Sequence, residues 1–304
     1  MFEKLHIIPG LTVRINEHMS KHTSFKTGGL ADIYLLPTSK SSLLSCIRVL
    51  KEEGVPFYVI GNATNIVVSD EGIQGAVIST RKMGAISIDG QRMHAESGAS
   101  LKSMSMRALE SSLSKMEWAF GIPGSVGGAV SMNAGAYGTE AKDVVESVEV
   151  LGPNMETSIL LNEQMDFGYR ASAVFDKGLL VLSATFLLEK APQNKIKELM
   201  DTLSEARRSR QPIELPSAGS VFKRPKEEGM YAAKLIEDAG LKGCQIGGAM
   251  VSPKHSGFIV NVGNATTNDI ARLVDHVQKT VFEKFQIELE TEIKFIGRAQ
   301  ANSR

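Results

Sequence analysis

The sequence is poor in cysteine and tryptophan, carries no surplus of either charge and lacks any long apolar run. Its two cysteines, Cys46 and Cys244, stand far apart and outside any C-x-x-C pair. That excludes a cysteine zinc site and a disulfide framework, and it fits a reducing compartment. The 34 basic and 34 acidic residues cancel, so no global field draws the chain to nucleic acid or an anionic membrane, and any anion site must be local. Residues 1–10 hold no apolar signal core, and the greasiest stretch, 178–188, is broken by Ser183 and Thr185 and is too short to span a bilayer. A soluble cytoplasmic protein is expected, without nucleic-acid or membrane partners. His18 and His22 stand four apart, but with no Cys, Asp or Glu placed to complete a set, no metal is expected.

Glycine is abundant, and its densest stretch organises the chain. Gly121-Ile122-Pro123-Gly124-Ser125-Val126-Gly127-Gly128 runs on into Ala129-Val130-Ser131-Met132-Asn133. Closely spaced glycines let main-chain N–H groups approach a bound group that larger side chains would block. Ser125 sits at a predicted helix N-cap, so N–H groups and a helix dipole could face an anion there. A tight turn feeding a packed helix is the simpler reading. Neither the P-loop pattern nor the G-x-G-x-x-G of a dinucleotide turn is present. A second loop, Gly61-Asn62-Ala63-Thr64-Asn65, follows the strand-like Phe57-Tyr58-Val59-Ile60. Two such loops suit a ligand with a diphosphate.

With 304 residues the chain is long enough for two or three domains. The segment through Pro37 reads as irregular and polar until a strand at 31–36. A helix begins near Ser39, and residues 75–98 read as strands with a hairpin turn at Asp89-Gly90. Ser100 caps a helix whose Leu101, Met104, Met106, Leu109 and Leu113 read as core. Strands follow at 144–151 and 179–188. A charged helix starts at Asn194 and ends in Arg207-Arg208-Ser209-Arg210. Further on come a helix at 232–239, a strand at 258–262 and a long amphipathic helix capped at Thr267 or Asn268. The last element, 287–295, alternates Ile287, Leu289, Ile293 and Phe295 with charged residues, which places Glu292 toward solvent. Strands with inserted helices define an α+β fold, not a regular βαβ array.

Several motifs together carry a resemblance. Thr23-Ser24-Phe25-Lys26-Thr27-Gly28-Gly29, the two glycine loops, Gly168-Tyr169-Arg170, Ala218-Gly219-Ser220-Val221-Phe222-Lys223-Arg224-Pro225 and Glu292-Ile293-Lys294-Phe295-Ile296-Gly297 occur in this order. The chain thereby resembles the UDP-N-acetylenolpyruvoylglucosamine reductase family over nearly its whole length. The resemblance implies a two-subdomain FAD-binding domain of the vanillyl-alcohol-oxidase (PCMH) type plus a C-terminal α+β substrate-binding domain. In residues, it implies FAD subdomain 1 at 1–75, joined by the terminal strand 286–304, FAD subdomain 2 at 76–200 and a UDP-sugar domain at 201–285. The short interval from Leu188 to Ser220 places the chain with the family's shorter form, which lacks an inserted Tyr-bearing loop.

The family's chemistry is a hydride relay. The resemblance implies that NADPH reduces FAD and that reduced FAD passes the hydride to an enolpyruvyl ether of UDP-N-acetylglucosamine, a cytoplasmic step in peptidoglycan precursor synthesis. It places Arg170, Ser220 and Glu292 as catalytic. Arg170 meets the developing charge with planar charge-assisted bonds, Ser220 donates the proton, and Glu292 faces the same charge. Gly61, Asn62, Ala63, Thr64, Asn65, Gly121, Ile122, Pro123, Gly124, Ser125, Gly127 and Gly128 are implied around the FAD, and Tyr169, Lys223 and Arg224 around the substrate. Help for Ser220 from Lys223 or Arg224 and a protonated Glu292 are our own chemical expectations. Ala63 and Thr64 depart from the glycine and serine of many relatives, and Ala restricts positive φ. Another FAD oxidase of this fold and a non-catalytic nucleotide-sugar binder are the alternatives.

Overall fold

A computed structural model describes residues 1–227 and 229–298; residues 299–304 of the expected terminal segment lie outside the described residues. The chain forms two compact units. The first comprises residues 1–14, 33–62 and 75–207, and the second comprises 15–32, 63–74 and 208–304.

In the first unit the helix Lys40–Glu52 begins at Ser39, whose hydroxyl accepts the Ser42 N–H as predicted. Its Leu43, Cys46, Ile47 and Leu50 pack on Ile33, Leu35, Ala76 and Ile78, the inward residues of strands. Those strands belong to a four-stranded sheet ordered Leu11–His18, Leu30–Pro37, Ile73–Ser79, Phe57–Ile60. Phe57–Ile60 runs parallel to Ile73–Ser79 and ends with Ile60 opposite Ser79. A five-stranded antiparallel sheet follows the order Thr157–Leu161, Val145–Leu151, Leu180–Leu187, Arg92–Glu96, Ile86–Asp89. Asp89 pairs with Arg92 across the predicted hairpin. The helices Leu101–Glu110 and Val126–Ser131 join this sheet through Leu101, Met104, Val126 and Val130 in one core.

In the second unit the strands Gln245–Ile246, Ala249–Val251 and Ile259–Asn261 form a small antiparallel sheet. Ala249, Val251 and Ile259 share a core with Leu235 and Ile236 of the helix Ala232–Asp238 and with Ile270, Leu273, Val274, Val277 and Val281 of the helix Thr267–Phe285. The strand Lys294–Ile296 runs parallel to Ile66–Val68.

Four local expectations are corrected. The segment before residue 30 is not irregular: it contains a helix, Phe2–His6, and the strand Leu11–His18, whose polar alternation hid both. Met106 is exposed on the solvent side of its helix, and the long helix is capped by Thr266, one residue earlier than expected. The terminal strand is short, covering only 294–296, although Ile287, Leu289 and Ile293 are buried as the alternation requires and Phe295 is not. Among the described residues no group of His, Cys, Asp and Glu could hold a metal, and His22 instead faces Glu17, Nε2 to Oε1 at 2.8 Å. No described helix is long and apolar enough to cross a membrane.

Candidate active site

The two glycine loops meet inside the first unit. The strand Phe57–Ile60 ends at Gly61, and a Cβ on Gly61 would lie 2.0 Å from Ser125 Oγ. Asn62 Nδ2 donates to the Pro123 carbonyl at 3.1 Å, laying the first loop against the second. Ser125 occupies the N-cap of the helix Val126–Ser131, but its hydroxyl makes no cap. The leading N–H groups of that helix are committed as well, Val126 to Ala99 O at 2.9 Å and Gly127 to Ser97 O at 2.8 Å. Two of the N–H groups that the sequence suggested were open to an anion are therefore taken up by the protein itself.

What faces the loops is a set of hydroxyls. Ser79, Ser97 and Ser125 are buried, and none of their Oγ atoms has a hydrogen-bond partner among the described residues. Ser79 pairs with Ile60 at the entrance to the first loop, and a Cβ on Gly127 would lie 3.1 Å from Ser97 Cβ. Native interiors rarely leave hydroxyls unpaired, because each costs a desolvation penalty. Bare backbone beside orphaned donors fits a polar cofactor such as FAD, with residues of both loops to hold it.

Arg170 is held close to the same glycine stretch. Asn133, fully buried just after the helix, donates from Nδ2 to the Gly168 carbonyl at 2.9 Å and to Glu140 Oε2 at 3.0 Å, and its Oδ1 accepts the Lys142 N–H at 3.0 Å. Ser172 donates to the Ser131 carbonyl at 2.8 Å. Between these ties Arg170 adopts φ 55°, a left-handed conformation that costs a non-glycine residue about 1 kcal/mol. Its guanidinium lies 5.1 Å from the Tyr169 ring centroid, a cation–π distance, and Tyr169 is exposed. Burial pushes the Glu140 carboxyl up, but the Lys142 hydrogen bond and charge, the Asn133 amide and the charge of Arg170 together bring it below the usual carboxylate range. Asn133 and Ser172 were not singled out from sequence. Buried Asn in a glycine-rich run was the available signal for the first.

In the second unit backbone pairing brings the residues that follow Ser220 against the segment that carries Glu292. Glu292 N–H donates to Val221 O at 2.7 Å and Lys223 N–H to Glu290 O at 2.9 Å, around a Phe222–Thr291 bridge. Glu292 is half-buried here, not turned to open solvent as its place in the alternation suggested. Asn65, expected at the cofactor, is also the clamp on this segment: its Nδ2 donates to Glu292 O at 3.1 Å, and its carbonyl accepts the Lys294 N–H at 3.0 Å. Ala63 takes φ 52°, the conformation that glycine would adopt freely, and its carbonyl accepts the Ser24 N–H at 3.2 Å. Thr64 is half-buried beside it. Lys223 is paired with Glu290 at 3.1 Å, and that bond, with the charges of Lys223 and Lys226, holds the Glu290 carboxyl low. Arg224 lies over Tyr231 at 5.1 Å. The cations expected to assist Ser220 thus have partners of their own. Burial, with the nearby Lys223 charge, lowers the Lys294 ammonium from its ordinary value.

An FAD-binding domain model matches residues 31–157, and the chain is an α+β FAD-dependent oxidoreductase. A second model, described as the C-terminal domain of UDP-N-acetylenolpyruvoylglucosamine reductase, matches residues 211–296. A UDP-N-acetylenolpyruvoylglucosamine reductase of Caldanaerobacter subterraneus is 50% identical over 283 residues, covering 93% of each chain. One of Clostridium botulinum is 49% identical over 291 residues, covering 96% of this chain and 94% of that one. The crystal structure of the Thermus caldophilus reductase superposes with a TM-score of 0.79 at 32% identity, covering 94% of this chain and 98% of that one. The chain belongs to the UDP-N-acetylenolpyruvoylglucosamine reductase family.

Proposed function

We propose that this protein reduces the enolpyruvyl ether of UDP-N-acetylglucosamine to UDP-N-acetylmuramate with NADPH, as a cytoplasmic step of peptidoglycan precursor synthesis. The observation that supports the reading, given the family, is the pairing of residues 221–223 with 290–292, which brings the segment that follows Ser220 against the one that carries Glu292. FAD, when bound, would supply the hydride-transfer chemistry between NADPH and the terminal carbon of the enolpyruvyl group. Gly61 to Asn65, Gly121 to Ser125, Gly127 and Gly128 would hold it, and the orphaned Ser125 hydroxyl supports this.

The protein's own residues manage charge and proton. As hydride arrives, negative charge develops on the substrate carboxylate. Arg170 meets it with a fork whose backbone is fixed beforehand by Asn133 and Ser172, so no reorganisation is needed at that moment. Ser220 gives its proton to the carbon next to the carboxylate. Glu292 faces the same charge; a second ionised carboxylate there would repel it, so Glu292 acts in its protonated form. Tyr169, Lys223 and Arg224 contact the nucleotide sugar. The interval after Leu188 is taken up by the strand Glu189–Lys190 and the helix Gln193–Arg210, which supports the family's shorter form.

An anaerobic absorption experiment tests this. The purified protein should be yellow, NADPH should bleach it, and the enolpyruvyl nucleotide sugar should restore the colour without oxygen. Recolouring by air alone would leave a flavoenzyme with a different substrate. For Glu292, near-normal turnover in Glu292→Gln with loss in Glu292→Asp supports the protonated acid, whereas a dead Gln variant with intact substrate binding sinks it.

A further inference from the structure

The turn that flanks Ser220 is closed by a histidine to which none of the chemistry above assigns a role. Ser252 Oγ accepts the N–H groups of Lys254 at 3.2 Å and His255 at 3.3 Å, and the His255 carbonyl accepts the Phe258 N–H at 2.9 Å. His255 Nδ1 then accepts the Gly257 N–H at 3.2 Å. The ring sits edge-on to Phe258, centroids 4.9 Å apart at 71°. Gly257 leaves room for this seat: a Cβ there would lie 3.1 Å from His255 Cε1, 3.2 Å from Nδ1 and 3.3 Å from Ala233 Cβ and would crowd the ring.

From Gly257 the hydrogen bonds continue straight into the site. The Gly257 carbonyl accepts the Val221 N–H at 2.9 Å, the Val221 carbonyl accepts the Glu292 N–H at 2.7 Å, and Ser220 pairs antiparallel with Phe258. Three residues, Gly257, Val221 and Glu292, thus follow the imidazole in series, and Ser220 precedes the second of them. Because each residue in the series is held at both its N–H and its C=O, the position of one constrains the next.

We propose that His255 is a positioning residue, whose neutral ring, with Nδ1 as acceptor, fixes the turn on which Ser220 and Glu292 are aligned for proton transfer. This rests on the roles given above to Ser220 and Glu292. An accepting Nδ1 requires the proton on Nε2. A second proton, on Nδ1, sets N–H against the Gly257 N–H and releases the turn. The charged groups that reach the ring are Lys242 and Glu237, which pair with each other at 2.7 Å and so oppose each other's effect on it; Lys254 on the same turn points away to Glu214 and the Arg208 carbonyl. Burial dominates and keeps the imidazole neutral below its ordinary range.

The test uses the flavin-loaded enzyme in anaerobic stopped flow, with flavin reduction by NADPH and reoxidation by the enolpyruvyl nucleotide sugar read separately across roughly pH 5 to 8. His255→Leu removes the acceptor. His255→Asn keeps one, because an Asn oxygen reaches the N–H two residues on and does not titrate. At pH 8 the Leu variant should reoxidise about five- to tenfold more slowly, the loss of one buried acceptor, with flavin reduction unchanged. The Asn variant should match wild type at pH 8 and lack the wild type's slowing in acid. A Leu variant that reoxidises at the wild-type rate, or an Asn variant whose acid profile superimposes on the wild type's, overturns the proposal. Should the Leu variant fail to fold, the nitrogen NMR shifts of wild-type His255 decide, since a proton on Nδ1 at neutral pH excludes the acceptor role. Ser220→Ala separates the two levels: normal reoxidation in that variant removes the assignment of Ser220 itself, whatever His255 does.

Discussion

Gly61 is the position where a single methyl group would most crowd the two loops proposed to hold the flavin. A Cβ there would lie 2.0 Å from Ser125 Oγ and 3.1 Å from Ser125 Cβ, so it displaces that hydroxyl from its present rotamer and crowds the contact between the loops. Gly61→Ala should therefore lose most of its flavin while remaining folded, read from the visible-to-ultraviolet absorbance ratio after gel filtration. Gly84→Ala is the control, since the nearest atom to its Cβ is Ala99 Cα at 3.9 Å, and it should keep a full complement. At this scale sequence was a partial guide. The glycine spacing announced both loops, but their mutual contact depends on Asn62 reaching Pro123, which no local pattern encodes. Ser220 and Glu292 carry no local signal at all; only their order among family motifs singled them out. Lys223 and Arg224 illustrate the converse, because cations beside a serine look free in a sequence until Glu290 and Tyr231 arrive from elsewhere in the chain.

Among the elements, the long helix Thr267–Phe285 shows what capping adds. Thr266 and Asp269 form a reciprocal capping box, and Asp70 adds a second set of acceptors, Oδ1 for the Thr267 N–H and Oδ2 for the Asn268 N–H, both at 2.9 Å. An anion at a helix N-terminus also meets the positive end of the dipole. Asp70→Ala should cost about 1–2 kcal/mol, measured by urea unfolding of the holoenzyme with an unchanged m-value. The helix itself was legible from the spacing of Ile270, Leu273, Val274, Val277 and Val281, all buried. Its true cap was misplaced by one residue because Thr266, Thr267 and Asn268 are equally good capping types. Asp70 was invisible, since only the fold brings it there. The strand Leu11–His18 was missed for the opposite reason: its residues are mostly exposed or half-buried, so no apolar stripe marks it.

The molecule as a whole should weaken in acid, and the direction follows from individual groups. Asp269 is held low chiefly by the Thr266 N–H, with the Gly248 N–H and the Arg272 charge adding to it, and Glu140 is held low as described. A carboxyl with a depressed folded value contributes stability above the unfolded range, and that contribution is lost as pH falls through the folded value. His255 acts in the same sense: its folded value lies below 6.5, so protonation favours the unfolded chain as pH falls past that point. Thermal unfolding of the holoenzyme should therefore move down in two stages, a first decline below about pH 6.5 and a second below about pH 4. His255→Asn should abolish the first stage and leave the second.

The pairing of Lys294–Ile296 with Ile66–Val68 carries a consequence for biosynthesis. Ile66–Val68 leaves the ribosome early but has no strand to lie against until residues 294–296 are made, and the same holds for Asn65, whose amide waits for the Glu292 carbonyl. Residues 65–68 must then wait for their partners while the intervening chain is translated. Such long-range closure is slow and exposes unpaired strand edges. Completion of the second unit is therefore a late, post-translational event, and a nascent chain arrested before residue 290 has neither Glu292 nor the strand that anchors it.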